Sequence, residues 1–229
     1  MKEDAGGLGR NVVPNKYVPA LRFPALTPWY DWTVAWSTRD AAMKARIVEL
    51  ASPQPGERVL DLGCGTGTLA IAMALASPGA AITGVDVDPA ILKIALAKGL
   101  AAKVQTRFVP GWGHALPFPD ASIDLAVSTL FFHHLLPDAK RRTLQELMRV
   151  LRPEGRLVIA DFGRAEAIWR RAMFNLVQLL DGYPNTRDHA EGTLATFLLD
   201  AGFVDLHCLP PLAVPVGSID FLVAVRAPN

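Results

Sequence analysis

The sequence predicts one doubly wound α/β sheet domain preceded by a helical arm. Three observations carry this. From residue 58 onward, short apolar runs of strand length alternate with helix-length segments, the order that builds a parallel sheet through right-handed crossovers. A glycine-rich turn, VLDLGCGTGT at Val59–Thr68, joins the first such strand to a helix. An aspartate, Asp86, ends the next strand nineteen positions after Gly67. A chain of 229 residues, about half of them apolar, is long enough to bury one sizeable core.

The elements are expected in this order. Met1–Asn11 is a glycine- and charge-rich tail with nothing to bury. Val12–Leu26, with three prolines, is an extended arm. Thr27-Pro28 starts a first helix and Ser37, with Asp40 at capping-box spacing, a second. The strands are expected at Arg58–Leu62, Ala81–Val87, Val104–Val109, Ile123–Thr129, Arg156–Phe162, Val204–Leu209 and Ser218–Val225. The helices between them are Thr68–Ala76, apolar enough to be buried, then Pro89–Gly99, Asp138–Leu151 stopped by Pro153, Arg164–Leu180 and Glu191–Ala201. This divides the chain into an arm with helices, residues 1–52, and an α/β domain, residues 53–229, carrying an inserted helix at about 164–182.

Composition excludes several classes. The formal net charge of +1 gives no global field for nucleic acid or anionic membranes. The two cysteines, Cys64 and Cys208, have neither disulfide-framework nor metal-ligand spacing, and a reducing cytoplasm is the expected setting. The first residues lack the apolar core of a signal peptide, and no apolar run reaches the roughly 20 residues that span a bilayer. No metal site is expected.

Gly63, Gly65 and Gly67 follow a strand and open a helix. A nucleotide-type site needs glycine there because the turn is tight and the backbone must approach the ligand without a Cβ. The N–H groups at the helix start near Thr68 suit a carboxylate or phosphate. Asp86 stands where a carboxylate accepts from both ribose hydroxyls. Asp88 is expected to cap the helix at Pro89. Asp61, inside the first strand, needs a partner if it is ionised. It would brace the glycine loop or meet a cationic amino group.

Taken in order, VLDLGCGTG, GVDVDP, LPFPDASIDLAVS and RVLRPEGRLVIADF resemble the motifs of class I S-adenosylmethionine-dependent methyltransferases, most closely the ubiquinone/menaquinone-biosynthesis C-methyltransferase group. The resemblance covers roughly residues 57–163. It implies a Rossmann-like seven-stranded sheet, mainly parallel with the last strand antiparallel, and S-adenosylmethionine as cofactor. It implies that Asp61, Gly63 and Gly65 line the methionine and ribose side, Gly67 shapes the turn, Asp86 holds the ribose hydroxyls and Val87 packs on the adenine. One departure stands out. Gly111-Trp112-Gly113 replaces the usual Gly-Asp-Ala, so Trp112 cannot accept from the adenine amino group. It would wall the adenine or pack as an ordinary aromatic, while the Gly113 N–H can still donate.

Ser128–His134, STLFFHH, follows the fourth strand, where ligands of open α/β sheets bind. The resemblance implies Ser128 beside the methionine moiety and a histidine, His133 or His134, able to take a proton from the acceptor. N-terminal helices cover the cofactor in the family, which makes Tyr30 and Trp36 the lid candidates. The acceptor expected is a small or lipid-like quinol or phenol. A peripheral membrane contact and a homodimer remain open. Nucleic acid is not expected, because the chain lacks the Asn/Asp-Pro-Pro-aromatic motif after the fourth strand and any basic stripe. The rival readings are a binding protein for the same cofactor without catalysis and a nicotinamide-dependent oxidoreductase. Asp61 before GCGTG and the lack of a Tyr/Lys pair speak against the second.

Overall fold

The computed structural model describes residues 39–163, 194–215 and 217–228. They form helices α1 (Asp40–Ala51), α2 (Thr68–Ala76), α3 (Pro89–Ala101), α4 (Pro137–Val150) and α5 (Leu194–Asp200). The strands are β1 (Arg58–Leu62), β2 (Ala81–Asp86), β3 (Thr106–Pro110), β4 (Ile123–Thr129), β5 (Leu151–Phe162), β6 (Phe203–Val214) and β7 (Gly217–Arg226). One seven-stranded sheet has the order β3-β2-β1-β4-β5-β7-β6. Strands β1 to β5 pair in parallel, and β7 runs antiparallel between β5 and β6. The sheet is the mainly parallel one with an antiparallel last strand that the sequence implies.

The period of two along each strand splits the core between the two faces. Leu60, Leu62 and Ala126 join the cluster with Leu144, Leu147 and Phe203. Val59, Leu125 and Val127 join the cluster with Met43, Ile47, Met73 and Phe221 on the other. Helix α1 belongs to that second cluster because Met43, Ile47 and Ala51, spaced four apart, form one buried stripe. Its first residue is Asp40, preceded by Arg39 in a left-handed conformation with no side-chain cap. Ser37 lies outside the described residues, as do Tyr30, Trp36, the arm and the helix expected at Arg164–Leu180.

Three elements differ from expectation for local reasons. Leu151 is already extended and pairs with Ile123, so β5 starts before Pro153, with a register shift before Arg156. Pro210 and Pro211 lie inside β6 instead of between strands. An edge strand tolerates them because its outer N–H groups have no partner to lose, and the register shifts between Leu209 and Leu212. Helix α2 buries Leu69, Ala70, Met73 and Ala74 but leaves Leu75 exposed, so it lies on the sheet by one face. Among the described residues no helix is long and apolar enough to cross a membrane.

Gly67 fixes the entry of the chain into α2. Its φ is +75°, and a Cβ there would lie 2.7 Å from the Phe108 ring and 2.9 Å from Ala95. Gly67→Ala combines a left-handed alanine with overpacking against β3 and α3. It should lose about 2–3 kcal/mol of stability by urea unfolding. A loss under about 0.5 kcal/mol would contradict this packing.

Candidate functional site

The chain leaves β1 toward β2 on one side and leaves β4 toward β5 on the other. A crevice therefore opens between the carboxyl ends of β1 and β4. A cleft of about 170 Å³ lies there, lined by Gly63, Gly65, Thr68, Leu130 and, from α1, Asp40 and Lys44.

The glycine turn forms its floor. The Gly63 and Cys64 N–H groups donate to the Val85 carbonyl at 2.8 and 3.0 Å. The Gly65 N–H donates to Asp86 Oδ2 at 3.0 Å, and the Asp88 N–H to Oδ1 at 3.0 Å. Asp86 thus ties the loop after β1 to the end of β2. Burial pushes its pKa up against the pull of these N–H groups. A Cβ on Gly65 would meet nothing within 4 Å, so the backbone here faces open space. Gly63 instead presses on Phe131, whose ring a Cβ would meet at 2.6 Å. Thr68 is exposed at the start of α2 and lines the cleft. Val87 is half-buried beside Asp86. Asp88 caps α3 through the Ala90 N–H at 2.8 Å, as its position before Pro89 implies. Cys64 is buried, and burial raises its thiol, so it stands protonated.

Asp61 lies under this floor, in the strand between β2 and β4, and is fully buried. Neither carboxylate oxygen has a hydrogen-bond partner. Burial raises its pKa to about 7, against the pull of the Lys44 charge and the Ala70 N–H at the start of α2. Of its two expected tasks, bracing the loop falls to Asp86 instead.

The turn after β3 is held to the same strand. The Gly111 N–H donates to the Asp86 carbonyl at 3.0 Å. Trp112 pairs with Ala115 in an isolated bridge, is 37% exposed, and has its ring centroid 5.6 Å from that of His114. Gly113 approaches Thr143 and the far edge of Phe131. From α4, Glu146 accepts from the Leu116 N–H, and Arg149 donates to the Leu116 and Phe118 carbonyls. The Arg149 hydrogen bond holds the Glu146 carboxyl below its ordinary range.

Beyond β4 the chain turns at Leu130, whose φ is +48°. Ser128 is buried and donates to the Leu62 carbonyl at 3.0 Å, which braces the end of β1 from behind the cleft. His133 is buried. Its Nδ1 lies 2.7 Å from Asp161 Oδ1 at the end of β5. The other Asp161 oxygen accepts from the Phe131, Phe132 and His133 N–H groups at 3.2, 2.7 and 3.3 Å. His134 is half-buried, its ring centroid 3.9 Å from that of His133. Sequence reasoning missed Asp40, Lys44, Phe131 and Asp161. Asp161 ends a strand as Asp86 does, which was a usable signal. No spacing in the sequence links α1 to the turn.

Residues 59–155 match the family model of a methyltransferase domain. The matched segment is similar to methyltransferase domains of the S-adenosylmethionine-dependent kind, whose cofactor is S-adenosylmethionine. Over 123 residues the chain is 41% identical to a demethylmenaquinone methyltransferase of Thermus thermophilus, covering 54% of this chain and 55% of that protein. Over 136 residues it is 33% identical to a 27-O-demethylrifamycin SV methyltransferase of Amycolatopsis mediterranei, covering 58% and 49%. The chain thus spans about half the length of these curated relatives. Its fold is that of an S-adenosylmethionine-dependent methyltransferase from Methanosarcina mazei, with TM-score 0.65 and 20% identity over 80% of this chain and 98% of that one. The open Gly65 face, the unpartnered Asp61 carboxylate and the carboxylate at Asp86 fit this cofactor. It carries ribose hydroxyls and a zwitterionic amino-acid end.

Asp61 has a pH signature. Its folded pKa, about 7, lies above the ordinary value near 3.9 of an unfolded chain. Between the two, the folded protein keeps a proton that the unfolded chain releases. The stability from this group is therefore full below pH 4 and is lost as pH rises through 7. Asp61→Asn should gain stability on the wild type by on the order of 4 kcal/mol between pH 4 and 8, read from urea midpoints. A constant difference across that range would contradict the raised pKa.

Proposed function

We propose that this chain transfers a methyl group from S-adenosylmethionine to a small or lipid-soluble acceptor of the quinol or phenol class. The observation that carries this is the closed glycine turn at the sheet's switch point, locked to Asp86 and open over Gly65. In this reading Gly63 and Gly65 line the methionine and ribose side of the cofactor, above Asp61. Gly67 sets the turn, and Thr68 presents the N-terminus of α2. Asp86 keeps lone pairs for the ribose hydroxyls, because each oxygen accepts only one N–H. Val87, Trp112 and Gly113 bound the adenine. Ser128 acts on the site through Leu62.

The sulfonium supplies a methyl group already activated for displacement. The protein's tasks are alignment and exclusion of water. A second cavity, about 290 Å³, lies at the same sheet edge. Phe162, Leu194, Leu209 and Phe221 give it an apolar wall suited to a lipid-like acceptor, beside the carboxylates of Asp161 and Asp220. Asp161 also holds His133. With Asp161 ionised, His133 Nδ1 carries the proton and Nε2 is the basic nitrogen, able to take a proton from an acceptor hydroxyl. His134 beside it is the alternative base. The relatives that act on a demethylmenaquinone and on a demethylrifamycin support an acceptor of this kind.

The protein should bind S-adenosylhomocysteine and not NAD in calorimetric titration. It should move labelled methyl from S-adenosylmethionine to a member of a quinol and phenol panel. His133→Ala should lower kcat about a hundredfold. Absence of S-adenosylhomocysteine binding sinks the reading. Binding without transfer to any acceptor would favour a non-catalytic binding protein.

A further inference from the structure

Helix α1 precedes the residues that match the family model, yet it supplies one wall of the cofactor cleft. Its buried stripe, Met43, Ile47 and Ala51, fixes how it is turned against the sheet. Asp40 and Lys44, one helical turn apart, then line the cleft opposite Gly65, Thr66 and Thr68. Lys44 Nζ lies 2.7 Å from Asp40 Oδ2, and both side chains are about three-quarters buried. Such a pair on an open helix face contributes little. Here it sits in a concave wall beside the N-terminus of α2, with the unpartnered Asp61 close enough for Lys44 to pull on its pKa.

We infer that Asp40 and Lys44 form a clamp for a zwitterion, the amino-acid end of the cofactor. This rests on the proposed cofactor placement and extends it to residues that no motif marks. A zwitterion brings one charge of each sign and no net charge, and the pair offers the complement. The Lys44 ammonium faces the carboxylate, which the free N–H groups at the start of α2 also favour. The Asp40 carboxylate faces the ammonium. Each charge of the pair exchanges its partner in the helix for one on the ligand, so neither is left unpaired in a half-buried wall. The clamp selects an intact α-amino acid over a truncated thioether.

The test uses two ligands and four proteins in calorimetric titration. S-adenosylhomocysteine carries the amino-acid end, and 5′-methylthioadenosine keeps the adenosine and sulfur without it. Lys44→Met and Asp40→Asn should each weaken S-adenosylhomocysteine about tenfold and leave 5′-methylthioadenosine within twofold. The exchanged variant Asp40→Lys/Lys44→Asp keeps the ion pair within the helix but reverses its order, and should not recover binding. Recovery there would assign the pair a structural role and overturn the clamp. So would equal losses for both ligands, or unchanged affinities in both single variants. If the wild type binds neither ligand, the cofactor reading falls and the clamp with it. Circular dichroism of each variant separates loss of binding from loss of fold.

Discussion

The hydrogen bond from the Gly65 N–H to the Asp86 carboxylate joins two segments that the sheet alone does not hold together. β1 and β2 pair only as far as Leu62 and Val85. Beyond that the glycine turn leaves the sheet, held first by the Val85 carbonyl through the Gly63 and Cys64 N–H groups. Asp86 catches it at Gly65 with one oxygen and anchors the start of α3 through the Asp88 N–H with the other. Its carbonyl also receives the Gly111 N–H from the turn after β3. One residue thus sets three loops in register, and the cleft exists because they do not move independently.

The other flank of the crevice uses the same device. Asp161 ends β5 and gathers three consecutive N–H groups of the turn after β4 with one oxygen and His133 with the other. The chain reaches that turn through a left-handed Leu130, a strained conformation for a branched side chain. Phe131 then spans the gap, with its ring against Gly63 on one side and Gly113 on the other. Two carboxylates at strand ends and one aromatic ring therefore place the backbone on both sides of the switch point before any ligand contributes.

Much of this was legible in the sequence, and the reasons divide cleanly. The alternation of strands and helices follows from periodicity, and β1, α2 and β4 begin and end where their apolar runs do. The ends of β5 and β6 were missed because Pro153, Pro210 and Pro211 usually signal a break. Pairing at Ile123 and the edge position of β6 override that signal. Asp86 and the glycines were visible as a motif. The bracing role of Asp86 was not, since a hydrogen bond across 21 residues leaves no local trace. Asp40 and Lys44 were hidden for a related reason. They sit on a helix whose orientation comes from packing against β5 and α2, and only that packing brings them to the turn.

The central claim is that the Asp86-locked turn is the floor of an S-adenosylmethionine site. The most direct measurement is a crystal structure with S-adenosylhomocysteine bound. The account predicts both ribose hydroxyls within hydrogen-bond distance of the Asp86 carboxylate, with the Gly65 N–H still donating to Oδ2 and the adenine between Val87 and Trp112. A ligand seated elsewhere, or one whose entry pulls Gly65 away from Asp86, would contradict it.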